Sequence, residues 1–237
     1  MSGSGLAGRP GVLVASDLSL VAEAVRAGLA GWDFEATTLQ WSEQQETGDV
    51  SPCPGQDVGL LISDVDSWLR LRTARSLITR VPLPWVVLTA APHGPMWGAL
   101  LDAGARAVLP STSGFKAVRK VLVGVARGTV ETFPPDRELL LDLWADLLER
   151  RELICQRVQS LTPREHEVLT MLHAGDPVGR IAQLLEVSPA TVRSQVKAVR
   201  RKLQVKTQLG AVAALDNLLE LEAFEAAEPP ELVELRA

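Results

Sequence analysis

The residues from 161 to 205 read LTPREHEVLTMLHAGDPVGRIAQLLEVSPATVRSQVKAVRRKLQV and predict three short helices in succession. Thr162 and Glu165 have the spacing of a capping box, and Gly175 is placed to end the first helix. A second helix is expected over about 178–185, followed by a tight turn. Three helices that are this short and this closely spaced indicate a small all-helical domain.

The third helix is expected to start after an N-cap at Ser188 and to extend to Lys206. It has no acidic residue, and its charges are all positive: Arg193, Lys197, Arg200, Arg201, Lys202 and Lys206. Cations without acids predict a phosphate-bearing partner, which makes nucleic acid the first candidate. An ordinary helix with a solvated basic face is the alternative.

An apolar stripe marks the side of this helix that is expected to pack: Val192, Val196, Val199 and Leu203. Four polar residues lie off the stripe in the N-terminal half: Arg193, Ser194, Gln195 and Lys197. A helix that packs on one side and presents polar groups elsewhere is typical of a recognition helix that meets base edges in DNA. The two capped helices before it favour this interpretation over the solvated face.

The motifs LTPREHEVL and RIAQLLEVSPATVRSQVKAVRRKLQV resemble the LuxR/NarL-type helix-turn-helix family over about a quarter of the chain. The resemblance implies four helices, of which the third enters the major groove of double-stranded DNA and the fourth, at about 207–221, makes dimer contacts. By the family's pattern Arg193, Ser194, Gln195 and Lys197 face DNA. The basic run adds three further candidates for DNA binding: Arg200, Arg201 and Lys202.

One departure from the family is the start of the second helix, Val178-Gly179-Arg180, which is usually more polar and bears Lys or Glu. A glycine weakens the helix there, and a contact from this position to the DNA backbone becomes less certain.

The net charge of −5 is unevenly distributed along the 237 residues. Residues 160–221 have eight basic and six acidic side chains, whereas 222–237 have five glutamates and one arginine. The local field, rather than the net charge, steers DNA binding. The segment 222–237 is expected to be a solvated acidic tail, with autoinhibition of the basic helix as the alternative.

The chain is longer than one such domain and predicts a second domain of about 120–150 residues. No apolar run reaches the roughly 18 residues of a membrane span, and the start lacks the pattern of a secretion signal. Cys53 and Cys155 are isolated, with no CxxC motif. A cytoplasmic protein that has no contact with a membrane is therefore expected.

Residues 1–128 alternate short apolar strands with helices. Strands are expected at 11–15, 34–37, 58–63, 85–89 and 107–109. Helices are expected at 20–29, from the end of the third strand to about residue 80, at 95–103 and at 114–127. This order predicts an α/β fold in which a parallel sheet is covered on both faces. Ligand chemistry in such a sheet gathers at the carboxyl ends of its strands.

Polar residues stand at just those strand ends: Ser16, Asp17, Asp64, Thr89 and Ser111. Together with VLVASDLSLVAEAVRAGL, LLISD, VVLTA and DAGARAVLP, they resemble the receiver domain of bacterial response regulators over about 115 residues. The resemblance implies a flavodoxin-like, five-stranded sheet in which Asp64 accepts phosphate and Thr89 contacts the phosphoryl group. It also implies that Asp17 and Asp64 are the ligands of a Mg²⁺ ion.

Two departures bear on phosphorylation. Ser16 stands where receivers usually have the first of two acids, and Ser111 stands where they usually have a lysine. Losing a carboxylate and an ammonium weakens both Mg²⁺ binding and a phosphoryl aspartate. Asp66 is a weak candidate for the missing acid. The sequence predicts an atypical receiver that needs no cofactor, binds Mg²⁺ weakly and is not efficiently phosphorylated, with an ordinary switch at Asp64 as the alternative.

The input to such a receiver is left open by the sequence. The cleft is a candidate for a small-molecule ligand, and the face around the fourth strand is a candidate for a protein or a second copy. Trp97 lies on that face as a candidate anchor, although core packing is the commoner fate of a tryptophan. His166 and His173 are expected to pack or face water rather than to bind a metal.

Residues 129–159 are expected to link the two domains. After Pro134 and Pro135, a helix to about Arg157 has an apolar stripe: Leu140, Trp144, Leu147, Ile154 and Val158. Packing on the receiver and pairing with the helix of a second chain are both open. Two chains would present two recognition helices about one DNA turn apart.

These patterns together predict a cytoplasmic, homodimeric regulator of transcription that binds specific DNA and is controlled by a ligand, a partner or dimerisation. The alternative is a protein-interaction module whose helix-turn-helix is sequestered. An enzyme is not expected, because no nucleophile, base and orienting residue are spaced for catalysis.

Overall fold

A computed structural model describes residues 9–40, 55–129 and 134–225 of the chain. The chain divides into two compact units, Met1–Ala145 and Asp146–Ala237. This division falls inside the segment 129–159 that was expected to be a linker. Within the described ranges, no helix is both long and apolar enough to cross a membrane. The predicted acidic tail lies outside the described residues from 226 onward, and so does Cys53.

The first unit is built on a parallel sheet. Its described strands are β1 Gly11–Ser16, β2 Glu35–Gln40, β3 Val58–Ile62, β4 Trp85–Thr89 and β5 Ala107–Pro110. They lie in the order β2-β1-β3-β4-β5, and every neighbouring pair is parallel. The order reverses between β1 and β3, where an open α/β sheet forms its ligand crevice.

Helices cover both faces of this sheet: α1 Ser19–Ala30, α2 Trp68–Arg80, α3 Pro95–Asp102 and α4 Phe115–Ala126. One face packs a continuous apolar core that includes Val14, Leu29, Leu60 and Leu122. β1 is buried along all six residues, as the burial of both its faces requires. The predicted receiver-like α/β fold is confirmed, and the strand ends agree with the prediction to within about three residues.

Helix α5, Arg137–Gln159, contains the boundary between the two units. Its first half packs on the first unit, where Gly98 in α3 permits a very close approach. A Cβ atom at Gly98 would lie 2.0 Å from the carbonyl oxygen of Leu140. Trp144 is 3% exposed, and its ring centroid lies 6.0 Å from that of Trp68. Of the two packing modes left open, Leu140 and Trp144 therefore adopt packing on the receiver-like unit.

The second unit contains α6 Pro163–His173, α7 Val178–Leu184, α8 Pro189–Lys202 and α9 Gln208–Glu225. The predicted apolar stripe of α8 is confirmed, because all four of its members are buried: Val192, Val196, Val199 and Leu203. The expectation that this helix reaches Lys206 is wrong. Leu203 is its C-cap, and Gln204 has φ of 56°, a left-handed conformation that cannot continue a right-handed helix.

Candidate functional site

The start of α6 is held by the predicted capping box. The Thr162 hydroxyl accepts a hydrogen bond from the Glu165 backbone N–H at 3.3 Å, and the Thr162 N–H donates to the Glu165 carboxylate at 2.8 Å. These two bonds satisfy backbone donors that the first turn of a helix leaves open. The end of α6 is equally defined, because Gly175 has φ of 88°. Helix α6, on which α8 packs, therefore has a defined start and a defined end.

The turn that presents α8 depends on a residue that sequence reasoning missed. Arg164 donates a hydrogen bond to the carbonyl oxygen of Leu185 at 2.9 Å, and it pairs with Glu167 at 2.8 Å. Leu185 is the C-cap of α7, and the next residue, Glu186, has φ of 54°. Arg164 therefore ties α6 to the turn between α7 and α8. The sequence signal was only an Arg and a Glu three residues apart, which usually indicates a surface pair.

Helix α8 begins as predicted, with the Ser188 hydroxyl accepting a hydrogen bond from the Thr191 N–H at 3.1 Å. Its polar face carries three exposed cations: Arg193, Lys197 and Arg201. Among the described residues, no carboxylate lies within 4.0 Å of their charged groups. These cations also line a cavity of about 490 Å³ together with Val178 and Val205. The cavity therefore has cationic groups beside an apolar wall.

The polar residues predicted to contact DNA are spread around the axis of α8. At about 100° per residue, Arg193 and Arg200 fall on one flank, whereas Gln195 and Lys202 fall on the opposite one. Arg200 is half-buried and donates a hydrogen bond to the carbonyl oxygen of Lys206, so this guanidinium braces the segment after the helix. Gln195 is half-buried, and Ser194 is exposed at the centre of the polar face. The predicted set of seven residues therefore does not lie on one face.

Lys202 was predicted to bind DNA with the other cations of α8, but it is paired inside the helical unit. Its ammonium lies 2.6 Å from the carboxylate of Glu165 and also donates to the carbonyl oxygen of Ser160 at 3.2 Å. Glu165 is 6% exposed, so the ion pair is largely shielded from water. Burial by itself raises the pKa of Glu165, but hydrogen bonds from Lys202 and Thr162 outweigh it and hold that pKa below its ordinary value. Lys202 therefore joins the end of α8 to the start of α6 and does not belong to the exposed cations of the polar face.

The start of α7 shows what the unusual Val178-Gly179-Arg180 sequence does. Arg180 is paired with Asp176 at 3.0 Å, and the N-cap Pro177 makes no side-chain cap bond. Gly179 is exposed, with no heavy atom within 4 Å of the place that a Cβ would take. The departure therefore leaves an apolar Val178 and an already paired arginine beside α8.

The polar residues after the strands of the first unit come together as predicted. Asp17 directly follows β1, Asp64 lies two residues after β3, Thr89 ends β4 and Ser111 directly follows β5. Asp64 accepts a hydrogen bond from the Ala90 N–H at 2.9 Å. Thr89 is fully buried, and its hydroxyl accepts a hydrogen bond from the Ala91 N–H at 3.1 Å. The Thr89 hydroxyl is thus used to hold the loop after β4.

The two serines differ in their surroundings. Ser16 is 3% exposed, and its hydroxyl accepts a hydrogen bond from the Leu18 N–H at 3.2 Å. It also lies 3.4 Å from an oxygen of Asp17. Ser111 is exposed at the end of β5. Neither side chain brings the negative or positive charge that its position usually provides.

Arg70 of α2 is the second residue that sequence reasoning missed. Its guanidinium lies 3.9 Å from the carboxylate of Asp17 and 3.5 Å from that of Asp66. The pocket therefore already contains a cation beside one of its two expected metal ligands. Mg²⁺ is usually held by one or two carboxylates and several waters, and here Asp17, one of the two expected carboxylates, faces the Arg70 guanidinium while Ser16 is neutral.

Beside Asp64 lies a cavity of about 460 Å³, whose lining includes Trp68, Pro92 and Met96. Trp97 does not contribute to it as an exposed anchor, because it is 4% exposed and its indole N–H donates to the Ala91 carbonyl at 2.9 Å. The candidate anchor at Trp97 is thus wrong, and core packing is observed. Trp68 borders the cavity instead, and its ring also contacts Trp144 of α5.

The histidines of α6 behave as structural groups. The His173 ring nitrogen lies 3.3 Å from the carboxylate of Asp216 in α9, and His166 lies 3.5 Å from the Thr170 hydroxyl. In the part of the chain that the structure describes, no three His, Cys, Asp or Glu side chains gather as ligands for a metal ion.

Two curated relatives and two solved structures illustrate the similarities of the chain. The HTH-type transcriptional regulator MalT of Vibrio parahaemolyticus is 31% identical over 68 residues, which are 29% of this chain and 8% of MalT. YhjB of Escherichia coli is 36% identical over 59 residues, or 25% of this chain and 30% of YhjB. The matches thus span less than a third of the length of either relative.

Response regulator ChrA of a heme-sensing two-component system has 22% identity and a TM-score of 0.41, over 90% of this chain and 99% of ChrA. The RcsB–DNA complex has 22% identity and a TM-score of 0.42, over 89% of this chain and 99% of RcsB.

The family described as bacterial regulatory proteins, luxR family, matches residues 159–214. This range contains α6, α7, α8 and the first part of α9. It therefore includes the capping box, the turn that Arg164 holds and the exposed cations of α8. Residues 159–214 form a helix-turn-helix domain of the luxR family.

Proposed function

We propose that this protein is a transcriptional regulator that binds specific sites in double-stranded DNA through α8. The observation that carries the proposal is the exposed trio Arg193, Lys197 and Arg201 on a helix whose opposite side is buried. No carboxylate among the described residues lies within 4.0 Å of these groups, so their charge is available to phosphates and base edges. Such a protein acts in the cytoplasm, where bacterial DNA is accessible.

Within this trio, position along the helix assigns the roles. Arg193 and Lys197, with Ser194 between them, lie in the N-terminal half, which meets base edges when a recognition helix enters the major groove. Arg201 lies about one turn beyond Lys197 and is placed to contact phosphate. The apolar Val178 beside Arg193 and Lys197 offers a surface for a thymine methyl group.

The experiment starts from duplexes selected by the protein from a random library, with affinity measured at several salt concentrations. Arg193→Ala and Lys197→Ala should each weaken binding to the selected site by about 1–3 kcal/mol if they contact bases. Arg201→Ala should weaken binding to all duplexes alike, and it should reduce the slope of log affinity against log salt concentration by about one. Arg150→Ala, which removes a 78% exposed cation on α5, is the matched control and should leave affinity unchanged.

If neither Arg193→Ala nor Lys197→Ala changes the affinity, α8 is not the groove-binding helix. A wild-type protein that selects no duplex at low salt would instead support the interaction-module alternative.

The receiver-like unit is proposed to control DNA binding without efficient phosphorylation of Asp64. Three features support this: Ser16 is neutral, Ser111 brings no ammonium, and the Arg70 guanidinium already faces Asp17. A phosphoryl group on Asp64 would add negative charge, and Ser111, at the position after β5, has no positive charge to offset it. The cavity beside Asp64, bordered by Trp68, is the proposed entry point for a ligand or partner.

A homodimer is proposed as the DNA-binding form. Helix α9 has two exposed leucines, Leu209 at 77% and Leu219 at 46% exposure, and both offer apolar surface to a second chain. For this chain, the exposed leucines carry the proposal.

A further inference from the structure

A second charged cavity lies in the first unit, beside the amino-terminal ends of β1 and β2. It has a volume of about 640 Å³, and five cationic side chains line it: Arg9, Lys116, Arg119, Lys120 and Arg127. Asp33 is the single carboxylate among its described lining residues, and it is paired with Arg9 at 3.3 Å. Asp64 follows the carboxyl end of β3, so this cavity and Asp64 lie at opposite ends of the parallel strands.

Helix α4 and its C-cap residue Arg127 provide four of the five cations. At about 100° per residue, Lys116, Arg119, Lys120 and Arg127 fall within an arc of about 100° on its surface. All four are exposed, while the other side of the helix is buried in the core through Leu122. Among the described residues, no carboxylate lies within 4.0 Å of these four charged groups. Like charges on one helix face repel one another, and a bound anion removes that repulsion.

An aromatic residue completes the cavity. Trp32 is 39% exposed, and the guanidinium of Arg119 lies 5.4 Å from the centroid of its ring. Phe115 supports the indole at a centroid distance of 5.4 Å. The cation–π contact holds Arg119 beside the indole, and the exposed part of Trp32 is available to an apolar group of a ligand.

We propose that this cavity binds a nucleotide, with its phosphates on the cations of α4 and its base against Trp32. The volume lies within the range of small-molecule sites. A nucleic-acid strand fits less well, because channels for single strands present successive aromatic residues. Trp32 is the sole exposed aromatic among the described lining residues, since Phe34 is 3% exposed. The proposal rests on the first unit and does not depend on DNA binding by α8.

The test is calorimetric titration of the full-length protein with ATP and GTP in EDTA, with tripolyphosphate and adenosine as the separate parts of the ligand. At least one nucleotide should bind, and more tightly than either part. Lys116→Ala with Lys120→Ala should weaken it at least about tenfold, through loss of charge-assisted contacts. Trp32→Leu should weaken the nucleotide but not tripolyphosphate. Arg106→Ala removes an exposed cation that does not line the cavity, and it should change nothing.

Absence of binding by both nucleotides at millimolar concentration overturns the proposal. Equal affinity for a nucleotide and tripolyphosphate also overturns it, because the site would then hold any polyanion. A single-stranded oligonucleotide that binds here while nucleotides do not would show a strand-binding surface instead. Thermal unfolding of the double variant checks its fold, and Lys120→Ala alone repeats the measurement if that fold is altered.

Discussion

The ammonium of Lys202 lies 2.6 Å from the carboxylate of Glu165, which joins the end of α8 to the first turn of α6. Glu165 also accepts hydrogen bonds from the N–H and the hydroxyl of Thr162. One carboxylate therefore completes a helix cap and an ion pair between two helices. If Glu165 loses either partner, the stability of the second unit should fall more than the DNA affinity of the protein.

We expect Lys202→Ala to lower the free energy of unfolding of the second unit by about 1–3 kcal/mol, because a largely buried carboxylate loses its ammonium. DNA affinity at low temperature should change less than in Arg201→Ala. All six tryptophans precede residue 146 and the chain has no tyrosine, so intrinsic fluorescence reports the first unit alone. Circular dichroism at 222 nm, compared with fluorescence, isolates the second unit. Wild-type stability in Lys202→Ala would contradict the prediction.

The same ion pair predicts a pH dependence. The pKa of Glu165 is lowered in the folded protein from its ordinary value of 4.5. Its contribution is therefore fully present above that value and is lost as the pH falls through the lower, folded pKa. Glu165→Gln should reduce the acid-induced loss of stability of the second unit, measured by dichroism in urea between about pH 3 and 7. An unchanged pH profile in Glu165→Gln would show that other carboxylates dominate.

Replacement of Asp64 should have little effect on DNA binding. Asp64→Asn should bind DNA as the parent does, and acetyl phosphate with Mg²⁺ should label the parent poorly. Ser16→Asp combined with Ser111→Lys should raise Mg²⁺ affinity, and adding Arg70→Ala should raise it further by removing a competing cation from Asp17. Stoichiometric labelling of the parent at Asp64 with a change in DNA affinity would identify an ordinary phosphorylation switch.

A Cβ at Gly98 should displace the first half of α5. Gly98→Ala places that atom 2.0 Å from the carbonyl oxygen of Leu140, where backbone must move. The melting temperature of the first unit, followed by tryptophan fluorescence, should fall by several degrees for a loss of about 1–3 kcal/mol. Gly114→Ala is the matched control, because nothing lies within 4 Å of its Cβ and its φ is −62°. Equal melting of the two variants would contradict the close packing.

The dimer should be sensitive to the exposed leucines of α9 rather than to its buried ones. Leu209→Glu should shift the sedimentation coefficient toward the monomer and weaken DNA binding together. Trp144 and Leu215 are each 3% exposed, so charges there would damage the fold of a single chain instead of testing the dimer. Leu139→Glu, at a 55% exposed position on α5, tests whether that helix contributes as well. A wild-type monomer on DNA would exclude the dimer.

Local chemistry made much of this fold predictable. The capping box at Thr162 and the valine stripe of α8 depend on residues three or four apart, and the structure confirms both. Strand ends were equally readable, because buried parallel strands are continuous apolar runs. Such signals are complete within one helical turn or one strand.

What the sequence left undetermined depends on distant partners. Lys202 belongs to a basic run, and only the folded chain brings Glu165, 37 residues away in sequence, to its ammonium. Arg70 is one of several arginines in α2, and it lies beside Asp17 because β1 and β3, which these residues follow, are neighbours in the sheet. The sequence left both a surface anchor and core packing open for Trp97, and both packing on the receiver and pairing with a second chain open for Trp144. Both tryptophans are buried, by neighbours that periodicity does not identify.

The close approach of Gly98 and Leu140 bears on how this protein can be recombined with others. A sheet-bearing unit cut at residue 128 would expose Gly98 and Trp68, where Leu140 and Trp144 normally lie. The portable module therefore extends to about Ala145, within α5. A chimaera that receives a foreign DNA-binding domain should be joined there, in mid-helix, with the helical phase preserved across the junction.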